Sequence, residues 1–371
     1  MTDTILTLNA GSSSVKFQLF ARDPALSRLA DGHVTNIGGN PTFHAVNDAY
    51  LHDNVTTTLP KGATHEQALR AIIDWVHAHN AGWKITIAAH RVVHGGTLFT
   101  APTRVDSHIF HQLKALCPLA PLHQPHNLKA LGIVDGLLPH VPQIACFDTA
   151  FHARHDPLFT QFALPAEIRD KGVRRYGFHG LSYEWIAHYL HRNYPDLAQR
   201  RVVVAHLGNG ASLCALQHGQ SIDTTMGMTA LDGLPMGTRC GALDAGAVIY
   251  MLRDLGMQAD DVEQMLYAQS GLLGLSDISN DVKVLHENGS KDALFALDYF
   301  AMKVAQYTAM MAVSMNGIDG LVFTGGIGEN AGSVRDAVVA RLAFLKIPAV
   351  LIVPANEERM MAMQAVTCLS S

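Results

Sequence analysis

The sequence predicts an α/β protein of two similar domains, each a mixed sheet flanked by helices, with a cleft between them for an active site. Three observations carry this. The chain has 371 residues, too many for one ordinary hydrophobic core. A strand hairpin at its start recurs near its middle. In both halves the hairpins alternate with helical stretches, the pattern of layered α/β domains.

In chain order, Leu6 and Leu8 precede the turn Asn9-Ala10-Gly11-Ser12-Ser13-Ser14, and Val15, Phe17 and Leu19 follow it. This period of two on both sides of a small-residue turn is a β-hairpin. Thr64-His65-Glu66-Gln67 has the spacing of a capping box, and Ala68, Ile72, Ile73 and Val76 continue it as a helical stripe. Lys84 to Val93 reads as a buried strand that carries Arg91 and His94 to the Gly95-Gly96 turn.

The second hairpin runs from Arg201 through Leu207-Gly208-Asn209-Gly210 to Leu216. Leu294, Leu297, Ala301, Val304, Ala305 and Thr308 mark a long helix, and the strand Leu321-Val322-Phe323 leads into a turn, Thr324-Gly325-Gly326-Ile327-Gly328-Glu329-Asn330. A helix through Val334, Val338 and Leu342, a short strand Ala349 to Val353 and a terminal helix from near Glu357 complete the chain. The expected domains are 1–150 and 151–358, with 359–371 packing back on the first.

Composition narrows the function classes. Hydrophobic residues are 48% and charged residues 16%, as in a compact globular protein and not a disordered one. The net charge of −5, with no stripe of Lys and Arg, argues against a nucleic-acid partner. No stretch approaches eighteen apolar residues, and the N-terminus lacks a basic run before an apolar one, so a soluble cytoplasmic protein with no membrane partner is expected. Five cysteines form no C-x-x-C pair and read as reduced thiols. The histidine pairs His90/His94 and His152/His155 lack further ligands at metal-site spacing and read as polar-contact histidines.

Glycine- and serine-rich turns after strands let backbone N–H groups approach an anion. One such turn alone is better read as an ordinary hairpin, but three of them, at Asn9–Lys16, Leu207–Gly210 and Gly325–Gly328, point to nucleotide phosphates. None fits the Walker or dinucleotide patterns. Phosphoryl transfer needs cations aimed at the equatorial oxygens, and Arg91, Arg239, Lys16 and His179 supply them. Arg91 and Arg239 stand in apolar, glycine-lined stretches where a guanidinium is costly without an anion. Ligand binding is weighted above an internal salt bridge for both. Asp148 is open to three readings: holding an arginine, binding metal-bound water, or capping a helix.

Seven motifs then carry a specific resemblance. Asn9-Ala10-Gly11-Ser12-Ser13-Ser14, His90-Arg91-Val92-Val93-His94-Gly95-Gly96, Phe147-Asp148-Thr149-Ala150-Phe151-His152 and Arg175-Tyr176-Gly177-Phe178-His179-Gly180 come first. His206-Leu207-Gly208-Asn209-Gly210, Met236-Gly237-Thr238-Arg239 and Thr324-Gly325-Gly326-Ile327-Gly328-Glu329-Asn330 follow. In this order they resemble the successive signatures of the acetate kinase family, over nearly the whole chain.

The resemblance implies a duplicated actin-like (ribonuclease H-like) fold, a homodimer, and reversible in-line transfer of the ATP γ-phosphoryl group to acetate. Arg91 and Arg239 would then grip the carboxylate and the phosphoryl group, and His179 would donate to the latter. Asp148, Glu357 and Asn9 would organise magnesium, with manganese as a substitute. Ser12, Ser14, Lys16, His206, Leu207, Gly208, Asn209 and Gly210 would line the phosphate track. Asp281, Val282, Lys283, Gly325, Gly326, Ile327, Gly328 and Asn330 would surround the nucleoside, and Val93, Leu122 and Ala230 the acyl group. The chemistry is consistent: a carboxylate, with a pKa of about 4, is ionised at pH 7 and needs no general base.

The chain departs from the family pattern in places. Cys240-Gly241-Ala242-Leu243-Asp244-Ala245 lacks the carboxylate usual close after Arg239, Asp281-Val282-Lys283 replaces the frequent Asp-Phe-Arg, and the approach to Glu357 is shorter by roughly twenty residues. Ala230 stands where proline is common, which makes the acyl pocket roomier and propionate a second substrate. Three other readings stay open: a sugar kinase using Asp148 as base, a non-catalytic nucleotide switch and, weakest, a structural metal-binding protein.

Overall fold

The computed structural model describes residues 2–48, 54–78 and 82–370, which fall into two compact units, Met1–Ala150 with Asn356–Ser371 and Phe151–Ala355.

In the first unit the described residues form one eight-stranded sheet. Its strands are β1 (Thr2–Ala10), β2 (Val15–Ala21), β3 (Arg28–Thr35), β4 (Thr42–Asn47), β5 (Val55–Thr58), β6 (Trp83–Val92), β7 (Thr103–Arg104) and β8 (Gln143–Phe147), in the order β5-β4-β3-β2-β1-β6-β8-β7. β1 to β3 pair antiparallel, whereas β6 joins β1 and β8 joins β6 in parallel. The first hairpin closes with Asn9 opposite Lys16 and Ala10 opposite Val15.

Helix His65–Ala78 begins at the expected capping box. Gln67 Oε1 accepts from the Thr64 N–H at 2.8 Å, and Thr64 Oγ1 accepts from the Gln67 N–H at 3.4 Å. Its apolar stripe, Ala68, Leu69, Ile72, Ile73 and Val76, packs with Leu6, Leu8 and Phe17 of the sheet. Each large side chain buried there contributes about 1.5–3 kcal/mol. Helix Glu357–Ser370 lies on β1, β6 and β8, and the Arg359 guanidinium anchors its start by donating to the Ala25 carbonyl at 2.6 Å.

In the second unit the described strands are β9 (Arg201–Leu207), β10 (Ala211–Gln217), β11 (Gln220–Thr224), β12 (Gly320–Thr324) and β13 (Ala349–Ile352), in the order β11-β10-β9-β12-β13. The repeat inferred from the two hairpins is therefore a repeat of topology. β9, β10 and β11 pair antiparallel and β12 and β13 add in parallel, as β1, β2, β3, β6 and β8 do. Helix Gly180–Asn193 buries Tyr183, Ile186 and Leu190 against Val202, Val204, Cys214, Leu216 and Val322, and the long helix Lys291–Ser314 packs along β9, β10 and β11.

One element differs from expectation. The stretch read as a turn after β12 is a short helix, Gly325–Asn330. The Glu329 carboxylate reaches back to accept from the Gly325 N–H at 3.0 Å and also accepts from the Ala355 N–H at 2.9 Å. A side chain one turn ahead thus supplies the cap that the glycines do not.

Candidate active-site residues

In the first unit, parallel pairing of β6 with β8 brings Arg91 beside Asp148. The Arg91 Nη2 lies 2.7 Å from Asp148 Oδ2, its Nε donates to both carboxylate oxygens at 3.1 and 3.2 Å, and Nη1 donates to Asn9 Oδ1 at 3.3 Å. The internal ion pair, ranked second at Arg91 on sequence grounds, is therefore present. Burial works against the Arg91 charge, but Asp148, Glu357 and Glu358 outweigh it and raise its pKa further. Asp148 is almost fully buried, whereas about a fifth of the Arg91 side chain stays exposed, so the cation keeps a free edge for an anion.

The backbone around Arg91 is clamped. Asn127 accepts from the Val93 N–H at 3.1 Å and donates to the Ala10 carbonyl at 2.8 Å, tying the strand end to the Asn9–Ser14 turn. Gln124 accepts from the His94 N–H at 3.1 Å and donates to the His94 carbonyl at 2.9 Å. Val93 is buried, Leu122 is exposed, and Ser12 and Lys16 are exposed with Ser14 half-buried. Burial, and then the neighbouring Glu357, raise the Glu358 carboxyl. Glu358 was missed in the sequence, although two adjacent acids opening a helix were its visible signal.

Asp148, Glu357, Glu358 and the Asn9 amide are the oxygen donors around Arg91. Among the described residues no group of three His, Cys, Asp or Glu is arranged to hold a metal. With the Asp148 carboxylate already bonded to Arg91, this set fits outer contacts to a hydrated divalent ion and not an all-protein cage.

In the second unit His179 heads helix Gly180–Asn193 with φ 57° and ψ 23°, left-handed for a residue with a side chain. Such outliers cluster where function requires them. Its Nδ1 is hydrogen-bonded to Ser212 Oγ at 2.8 Å, and its ring lies 4.4 Å from that of His206, whose Nδ1 bonds Ser182 Oγ at 2.8 Å. The other nitrogen, Nε2, faces Gly210. A β-carbon there would meet His179 Nε2 at 3.3 Å and Arg239 Nη1 at 3.9 Å. Two nitrogens on separate segments thus converge on a space that only glycine leaves open. Arg239 also donates to the Ala230 carbonyl at 3.1 Å.

Beside this space lies a cavity of about 620 Å³, lined in part by Gly208, Asn209, Asp281, Val282, Lys283, Gly326, Ile327 and Asn330. These eight all belong to the residues expected around a nucleotide. Leu207, Gly325 and Gly328 are buried and do not line it, nor do His206 and Gly210. Asn280, His286 and Ser333 do, and were missed. The carboxylate of Asp281 is the N-cap of helix Val282–Asn288, accepting from the Lys283 and Val284 N–H groups at 2.7 and 3.2 Å. Asn280 donates to Asn209 Oδ1 at 3.2 Å, joining two walls of the cavity.

Comparison with known proteins gives a consistent result. A family model described as the acetokinase family matches residues 4–363. An acetate kinase of Rhodopseudomonas palustris is 46% identical over 358 residues, covering 94% of this chain and 88% of the relative. A crystal structure of a propionate kinase from Francisella tularensis superposes with a TM-score of 0.91 at 33% identity, covering 98% of this chain and 99% of that one. The acetate kinase of Porphyromonas gingivalis gives 0.89 at 31% identity, covering 99% and 100%.

Proposed function

The chain belongs to the acetokinase family, and on that premise we propose that it is an acetate kinase, transferring the γ-phosphoryl group of ATP reversibly to acetate. An acetate oxygen attacks phosphorus in line, the bond to the β-phosphate oxygen breaks, and acetyl phosphate and ADP result.

The observation that carries this is the space before Gly210, with His179 Nε2 and Arg239 Nη1 at its edge. Donors preorganised there would stabilise charge on the equatorial oxygens. Arg91 is assigned to the carboxylate and the phosphoryl group. Val93, Leu122 and Ala230 are assigned to the methyl group, and Lys16, Ser12, Ser14 and Asn209 to the phosphates. A magnesium ion on the nucleotide would neutralise phosphate charge, with Asn9, Asp148 and Glu357 holding its water shell. A sugar kinase is disfavoured, because Asp148 spends its carboxylate on Arg91 and is badly placed to take a hydroxyl proton.

Incubating the protein with ATP and each short-chain acid, and trapping acyl phosphate as hydroxamate, tests the assignment. Acetate-dependent hydroxamate and ADP are expected, and nucleotide binding without either would favour the switch reading. Propionate is the second reading, supported by the likeness to the Francisella propionate kinase and by Ala230.

A cytoplasmic homodimer is also proposed. Among the described residues, no helix is long and apolar enough to cross a membrane. The second unit leaves Leu294, Phe295, Met302 and Val313 of one helix, and Ile249 and Tyr250 of another, exposed, and apolar surface of this kind marks interfaces. Sedimentation at about 80 kDa, twice the chain mass of 40.1 kDa, is the expected result.

A further inference from the structure

Behind His179 lies a buried group that the proposed chemistry does not use: His152, His155, Ser221 and Cys214. His152 Nε2 is 3.0 Å from the Phe178 carbonyl oxygen and its Nδ1 is 2.8 Å from Ser221 Oγ. Ser221 Oγ also meets His155 Nε2 at 2.6 Å and Cys214 Sγ at 3.2 Å.

The protons in this cluster can be assigned. A carbonyl only accepts, so His152 Nε2 carries its hydrogen. Burial pushes the pKa of His152 down to about 4, so near neutral pH the ring is uncharged and Nδ1 is bare. Ser221 must therefore give its one hydroxyl hydrogen to Nδ1. Its remaining lone pairs accept from the His155 Nε2–H and face the Cys214 S–H, for which the Ala215 carbonyl at 3.7 Å is a second acceptor. Every polar atom around Ser221 is matched, and only one tautomer of His152 fits.

That tautomer holds the residue preceding His179. Phe178 is almost fully buried, and Gly177, at φ +79°, lies so close to the His152 ring that a β-carbon would meet Cδ2 at 2.7 Å. The chain from Gly177 to His179 thus lies against the ring, with the Phe178 carbonyl held by His152 and the Gly177 N–H donating to the Gly227 carbonyl at 3.3 Å. It enters at once the left-handed turn that points His179 Nε2 at the space before Gly210.

We infer that His152, its tautomer set by the Phe178 carbonyl and matched by the Ser221 hydroxyl at Nδ1, is a positioning residue for His179, holding the Phe178 carbonyl so that the strained turn keeps His179 Nε2 aimed at the transferring group. This rests on the proposed role of His179.

The test compares His152→Met with His152→Gln, whose side-chain amide can restore the donor at the Nε2 position, and places both in the native and His179→Gln backgrounds. In the native background His152→Met should lower kcat about 10- to 100-fold with KM for ATP changed less than about threefold, and His152→Gln should recover most of the loss. In the His179→Gln background His152→Met should change kcat little, because the group it positions is gone. If His179→Gln is crippled but His152→Met keeps near-native kcat, or lowers it equally in both backgrounds, the inference is overturned and the role of His179 stands. If His179→Gln is itself near-native, the role of His179 fails first. Should His152→Met not fold, Ser221→Ala decides: it strips Nδ1 of its donor and loosens the hold on the ring, and should lower kcat in the native background only, and an unchanged kcat there overturns the inference.

Discussion

Arg91 Nη2 sits 2.7 Å from Asp148 Oδ2, and the same guanidinium holds Asn9 Oδ1 through Nη1. The pair therefore fixes a cation in place. Arg91→Ala is expected to lower kcat/KM by at least about 100-fold through loss of phosphoryl-oxygen stabilisation. It should also destabilise the fold, because the Asp148 carboxylate is left buried without its partner. Breaking a buried pair costs about 3–5 kcal/mol, and the partial exposure of Arg91 puts the value at the low end. Asp148→Asn keeps an acceptor for Arg91 and should spare most of that stability. Its pH–rate profile should keep its native shape, since an ionised carboxylate nucleophile needs no base, and loss of a limb from the profile would revive Asp148 as a general base.

His90 supplies a test of the fold through pH. Its Nε2 meets Gln143 Oε1 at 2.6 Å in a fully buried setting, and burial pushes its pKa from 6.5 down to about 4. The depressed value means the unfolded chain takes up a proton that the folded chain refuses. The stability contributed by neutral His90 is thus complete above pH 6.5 and is lost as pH falls towards 4, at about 1.4 kcal/mol per pH unit. His90→Leu should be less stable at pH 7, where Gln143 loses its partner, yet its stability should fall less steeply between pH 6.5 and 4. Urea titrations at several pH values give the two slopes, and parallel curves would contradict the burial argument.

The two hairpins and the capping box were legible because period two and the Thr-x-x-Gln spacing are local signals. The Arg91–Asp148 pair was not. Arg91 lies on β6 and Asp148 directly follows β8, two strands joined by parallel pairing with Arg91 opposite Cys146, and no spacing along the chain encodes that adjacency. Gly325–Asn330 was misread for a different reason. Three glycines argue against helix on propensity, and the Glu329 contacts that outweigh it include one from Ala355, across a strand and a helix. The partners of His152, Phe178 and Ser221, are likewise assembled by the fold, so a histidine read only as polar-contact acquired a direction only in three dimensions. The residues lining the cavity of the second unit were the most legible, since glycines after strands declare themselves, and what escaped were neighbours such as Asn280, which bonds Asn209.

Gly210 offers a stringent check of the convergence of His179 and Arg239. Its φ is not positive, so alanine is conformationally allowed, and the one added carbon would occupy the space at 3.3 Å from His179 Nε2. Gly210→Ala should therefore melt within a few degrees of the native protein while losing about 100-fold or more in kcat. Native turnover in this variant would mean that the transferring group lies elsewhere.

The proposed assignments of Val93 and of Ala230 to the acyl group can each be tested through acid preference. Val93 is buried and its N–H is held by Asn127, so its backbone is fixed in place. Ala230 is half-buried, and its carbonyl accepts from Arg239 at 3.1 Å, so the position proposed for the acyl group is tied to the arginine proposed for the phosphoryl group. One methylene in an apolar pocket is worth about 1–3 kcal/mol, or about 10- to 200-fold, so propionate should be turned over with kcat/KM below that for acetate by no more than this range. Val93→Ala removes bulk and should raise the propionate-to-acetate ratio of kcat/KM about tenfold. Ala230→Pro, which keeps the carbonyl but adds bulk, should lower it. Hydroxamate assays with both acids measure the ratio directly, and a ratio that neither substitution moves would place the acyl group away from Val93 and Ala230.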